Sequence, residues 1–261
     1  MRSLDAYLRA TGSSALDSYV DNEGEWQRLD DRVWEDIRRK LLSRPRVTVE
    51  LADASSGDER YRFKYIGWDR SAPSKGLEPE AACVLCYWLP SELLEQRGPQ
   101  WVREQVMEIA APLPFSSGNA GLAFNCAMEL VPVAREVRKY CFRYPGMDVL
   151  HPGSASRGIG ARVRGPSWLT FLGQPVLGEL GGAEGLRSRL HSPGTTVQQM
   201  EGDRAVVTLG PWPEAGDTEQ GKELPAWREL ARVLEPWTFS DSTAIGIDDP
   251  DDPRWARRFL D

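Results

Sequence analysis

The sequence predicts an α+β fold, with a mixed or mostly antiparallel sheet and helices packed on its faces, in a single domain over residues 1–261. Three observations lead there. Short alternating segments fall in hairpins or next to helices, without the regular βαβ succession of a parallel sheet. Other segments repeat apolar residues at helical spacing. The chain has 261 residues, 41% apolar and 27% charged, which is an ordinary globular mixture with enough length for a sizeable core. No linker is long enough to separate two domains, and no internal repeat stands out.

Residues 2–11 predict a short helix with Leu4, Tyr7 and Leu8 on one side. A hairpin follows, LDSYV and EWQRL about the turn residues DNEG. Asp30 and Asp31 open a helix in which Val33, Trp34, Ile37 and Leu41 share a face, with Arg38, Arg39 and Lys40 near its C-terminal end. Alternation marks strands at 47–51 and 61–68, and the polar stretch 69–80 reads as a loop. The run CVLCYWLP (83–90) is apolar at nearly every position and predicts a central strand. A helix from Ser91 to about residue 110 is interrupted at Gly98–Pro99. Next come a turn-rich loop with a short buried strand (113–125), a helix over about 127–143, and a glycine-rich loop over 145–166. Strand 168–173, short helices near 175–180 and 183–190, and the hairpin TTVQQM/AVVTLG turning at Glu201–Asp203 complete the middle of the chain. A polar loop (211–222) leads to helix 224–236, and Asp252–Pro253 suit the start of a last helical turn that docks Trp255 and Phe259.

The balance of 39 acidic to 32 basic side chains gives a net charge of −7. An acidic chain without basic-aromatic interleaving is poorly suited to grip phosphate backbones, so no direct nucleic-acid binding is expected; its charged partners would be cationic proteins. No apolar run is long enough for a membrane span, and the start lacks a secretory h-region, so a cytoplasmic location is expected. The ten tryptophans are scattered and read as core anchors.

Recognisable catalytic chemistry is scarce. Cys83 and Cys86 lie within an expected strand, far from Cys126 and Cys141, which suits neither a zinc site nor a redox pair; four reduced, buried thiols are expected. His151 lies in a turn context and His191 at a helix end, so neither is placed as a general base. Ser116 and Ser117 read as a polar loop beside a buried strand. The phosphate-cradling and hydrolase motifs are missing, and no metal or cofactor is expected. The pair Asp30–Asp31 is explained by helix capping. Asp248, Asp249, Asp251 and Asp252 form the stiff acidic run DDPDDP, either a solvated tail or a mimic of phosphate charge offered to a basic groove. The hairpin acids Asp21, Glu23 and Glu25 are a second candidate partner-binding group.

An ordered series of segments carries a resemblance: DAYLRATG through WEDIRRKLL (5–42), WLPSELLEQRGPQWVRE (88–104), LPFSSGNAGLAFN (113–125), RYPGMDV (143–149), GPSWLTFLGQPVLGELGG (165–182), LPAWRELARVLEP (224–236) and RWARRFL (254–260). Together they resemble a bacterial family of type VI immunity proteins against VRR-Nuc-type nuclease toxins. Similar proteins carry a further N-terminal strand hairpin before the DAYLRA stretch, so a shortened sheet edge or a different start is expected here. The resemblance implies a non-catalytic protein that binds a cognate toxin encoded next door and keeps its nuclease from the cell's own DNA. The alternatives left open are an accessory protein of a secretion or phage-tail-like system, and an enzyme without a recognisable motif.

Overall fold

The computed structural model describes residues 1–43, 46–57, 59–68, 78–128, 130–240 and 252–261. Its contacts divide the chain into two compact units, Met1–Leu113 with Ala155–Gly160, and Pro114–Ser154 with Ala161–Asp261. The α+β class holds, with every sheet pairing antiparallel, but the described strands form two sheets rather than one.

The first unit begins with α1 (Arg2–Thr11), which buries Leu4 and Tyr7 and stops at Gly12, whose φ of +99° suits glycine. The short strands β1 (Ser18–Val20) and β2 (Trp26–Arg28) form the expected hairpin. Helix α2 (Asp31–Ser43) is capped by Asp30, whose Oδ1 accepts from Val33 N–H at 2.8 Å. Strands β3 (Arg46–Ala52) and β4 (Arg62–Trp68) pair over seven residues, and β5 (Val84–Trp88) completes the order β2-β1-β3-β4-β5. Alternation along β3 puts Val47, Val49 and Leu51 inside. Across the ladder, Glu50 holds Arg62 at 2.6 Å and Lys64 at 2.7 Å.

Strand β5 corrects one expectation, because it is an edge strand and all five of its residues are only partly buried. Its apolar run reflects packing with aromatic rings on one side. Tyr87 lies 4.8 Å from Tyr7 and 5.4 Å from Phe63, centroid to centroid, and the Tyr7 hydroxyl donates to Trp88 O at 2.8 Å. Burial pushes the Tyr7 phenol above its ordinary range, which fixes it as a neutral donor. Helices α3 (Ser91–Arg97) and α4 (Pro99–Ala110) divide at Gly98, φ +81°, as the Gly–Pro pair requires.

In the second unit β6 (Ser117–Ala120) precedes α5 (Val131–Cys141) and α6 (Pro152–Gly158). The sequence reading made 145–166 a loop. The short segment PGSASRG has no apolar period to reveal α6, and α6 begins in this unit and ends in the other. Strand β7 (Leu169–Leu172), helices α7 (Val176–Glu179) and α8 (Gly182–Arg187), and the hairpin β8 (Thr195–Met200) and β9 (Arg204–Leu209) give the sheet order β6-β7-β9-β8. The hairpin turns through Gly202 and Asp203, both at positive φ, the geometry that the Gly–Asp pair tolerates. Strands β7 and β9 are central, and burying each Leu or Val side chain on them contributes roughly 1.5–3 kcal/mol. Helix α9 (Pro225–Leu234) buries Trp227, Leu230 and Leu234, and α10 (Asp252–Ala256) closes the chain with Trp255 and Phe259 buried, as expected.

Candidate protein-binding surface

The hairpin between β1 and β2 gathers one expected group of carboxylates. Asp21 Oδ1 accepts from the backbone N–H of Glu23 at 2.9 Å and of Glu25 at 3.0 Å, and Oδ2 accepts from the Gln27 side-chain amide at 2.9 Å. These bonds, that of the Glu25 N–H foremost, hold the Asp21 carboxyl below its usual range. Asp21 therefore builds the turn, and the exposed Glu23 and Glu25 are the carboxylates presented at its tip.

Of the second group, Asp248, Asp249 and Asp251 lie outside the described residues, while Asp252 is the first residue of α10. The segment that follows is firmly placed. Trp255 is 2% exposed among Met128, Val137, Cys141 and Val149, edge-on to Phe142 at 5.7 Å. The Arg258 guanidinium stacks 3.8 Å from the Trp255 ring, and its Nε donates to Pro145 O at 2.9 Å. Burial lowers the Arg258 pKa to about 10, and Asp148 at 3.9 Å, itself paired with Arg164 at 3.2 Å, opposes that shift.

Of the residues weighed as catalytic, Ser117 and the His191 backbone have local structural work. The Ser117 hydroxyl donates to Arg162 O at 2.7 Å and the Asn119 amide to Gly165 O at 2.8 Å, while Gly118 lies against Phe171. The backbone N–H groups of His191 and Ser192 donate to the two carboxylate oxygens of Glu229 at 2.8 and 2.9 Å. Burial alone would raise the Glu229 pKa, but these bonds outweigh it and hold it below the usual range. The four cysteines are free thiols, but the expectation that all are buried fails, since only Cys141 is buried and Cys83 is exposed. Cys83 sits on the sheet edge, where its sulfur lies 3.3 Å from Trp68 N. Among the described residues, no three His, Cys, Asp or Glu side chains gather as a metal-ligand set, and no helix is long and apolar enough to cross a membrane.

The sequence marks the loop 211–222 only as polar, a pattern that does not reveal its geometry. Asp217 is buried and forks Arg143 at 3.1 and 3.0 Å, and its Oδ1 also accepts from Glu219 N–H. The Arg143 fork, first among the causes, pulls the Asp217 carboxyl low. Gly146 N–H donates to Ala215 O at 2.8 Å, and a Cβ on Gly146 would come within 2.0 Å of Glu214 O. The segment RYPGMDV is thus the cradle of this loop. Of the ten tryptophans, all described, Trp212 on this loop is the most exposed, at 45%, and the others are buried or partly buried. Its setting between Pro211 and Pro213 is the sequence signal that distinguishes it from core tryptophans.

A family model named TsiV and described as type VI immunity for VRR-NUC matches residues 1–259. Among solved structures, the chain is similar to a Pseudomonas aeruginosa T6SS protein, PA0821, with a TM-score of 0.77 and 18% identity over 98% of this chain and 75% of that one. At that identity the likeness shows the fold. None of the curated proteins compared matches the chain.

Proposed function

The chain belongs to the TsiV family, type VI immunity for VRR-NUC, and from that premise we propose that it binds a cognate VRR-NUC toxin and blocks its nuclease. The observation that carries this reading is the family match across both units, which also favours the whole chain as one functional domain. The mechanism is occlusion. A nuclease must hold phosphates in a cationic cleft, and a chain with a net charge of −7 is drawn to that cleft and covers it without catalysing anything. The chain needs no cofactor and no direct hold on nucleic acid, and it works in the cytoplasm, where the toxin would meet DNA.

Contacts at Glu23 and Glu25, presented by the Asp21 turn, and at the run Asp248, Asp249, Asp251 and Asp252 belong to this proposal. Glu23 and Glu25 are exposed at a short turn, and the run contributes four aspartates spaced by proline in the sequence. The test is protection in cells. A strain expressing the VRR-NUC toxin from the neighbouring gene should lose its DNA and die, and co-expression of this chain should restore growth. Death despite folded, abundant protein would overturn the proposal.

A further inference from the structure

We propose that Trp212 is the aromatic anchor with which this chain grips its toxin, and that the carboxylates of the same loop face the cationic surface beside the toxin's DNA cleft. The inference rests on the immunity reading and assigns it a surface. Exposed large apolar side chains among the described residues also include Leu42, Leu130, Val131 and Tyr140. Those lie on or at the start of helices that are net positive: α2 has four bases against Asp31, Glu35 and Asp36, and α5, with Leu130 as its N-cap, has Arg135, Arg138 and Lys139 against Glu136. A phosphate-binding nuclease surface repels such neighbours. Trp212 has the opposite company: Glu214, Glu219 and Glu223 are all exposed on its loop, against the single base Lys222. Arg143 forks Asp217 and also pairs with Glu219 at 2.7 Å, so two carboxylates share one guanidinium, and with Glu214 and Glu223 against Lys222 the loop remains net negative.

The loop is also held rigid. Pro211 and Pro213 fix the backbone on either side of Trp212. Gly210 O accepts from Trp168 Nε1 at 3.1 Å, Gly210 N–H donates to Gly194 O, and Asp217 and Lys222 exchange backbone hydrogen bonds. A tryptophan presented this way loses little freedom on binding, which is where aromatic anchors gain their energy. Rigid aromatic surface within a carboxylate rim matches a cationic protein partner.

The test is binding kinetics of purified chain on immobilised VRR-NUC toxin. Trp212→Ala should dissociate about 30-fold faster or more, the range of an interface anchor, while Trp212→Phe restores most of the lifetime. Glu214→Gln with Glu223→Gln should slow association at low salt, with the gap closing as salt rises. Tyr140→Ala should bind like wild type. All four side chains are exposed, and circular dichroism and thermal melting verify each fold. The proposal is overturned if Trp212→Ala, folded as wild type, keeps its lifetime within about threefold, since anchors cost far more. The charge pair provides an independent arm: unchanged association at low salt overturns the carboxylate rim. If wild-type chain does not bind the toxin at all, the immunity reading fails and this assignment fails with it.

Discussion

Replacing Trp255 with Ala tests how firmly the last ten residues are fastened. The indole is 2% exposed, packs edge-on to Phe142 and forms the shelf on which the Arg258 guanidinium lies at 3.8 Å. Truncating a fully buried Trp to Ala costs about 3–5 kcal/mol in lost transfer energy and residual cavity. Arg258 would lose the face that covers its charge, leaving Asp148 at 3.9 Å as its ion-pair partner, so the upper half of that range is expected. In a unit of this size each kcal/mol moves the midpoint by about 2–4 °C, so the variant should melt about 8–20 °C lower. Urea unfolding followed by circular dichroism gives the free energy directly. A loss below about 1 kcal/mol would refute the reasoning, because it would mean that the terminal segment is not docked in solution.

Gly146→Ala should destabilise by about 1–3 kcal/mol, because its Cβ meets Glu214 O at 2.0 Å and backbone must move; urea unfolding measures it. His151→Ala and His191→Ala, alone or together, should leave protection against the toxin intact; lost protection with unchanged folding would favour an enzyme. The Glu229 pKa is lower folded than unfolded, so its contribution is fully present above the ordinary carboxylate range and lost as pH falls through the folded value. Glu229→Gln should therefore flatten the acid side of a stability–pH curve and leave its alkaline side unchanged in shape. Neutralising Glu23 and Glu25, or the four aspartates of the 248–252 run, should slow toxin association at low salt in stopped-flow mixing; no change in either variant would remove those groups from the binding face.

Legibility in the sequence tracked how local the signal was. The alternation along β3, the Gly202–Asp203 turn and the apolar face of α9 each depend on neighbours within a few residues, and each appears where the pattern put it. Sheet membership is different. Nothing in CVLCYWLP distinguishes a strand buried between two neighbours from an edge strand lined by Tyr7 and Phe63. The division into two sheets depends on long-range pairing that short periods do not encode. The β1–β2 turn and the exposure of Glu23 and Glu25 at its tip were legible, because the charged turn residues are local to it. The candidate surface was hidden where Trp212 marks it, since the sequence alone reads a tryptophan as core until its proline flanks and its anchored loop are seen together.

Inhibition by stoichiometric binding is tested by one titration. Purified VRR-NUC toxin at a fixed concentration, well above the dissociation constant, cleaves plasmid DNA while this chain is added in increasing amounts. The expected result is a linear fall in cleavage rate to zero at a fixed stoichiometric ratio, with no change in the DNA when the chain is incubated alone. An unchanged rate at a large excess of folded chain would contradict the account.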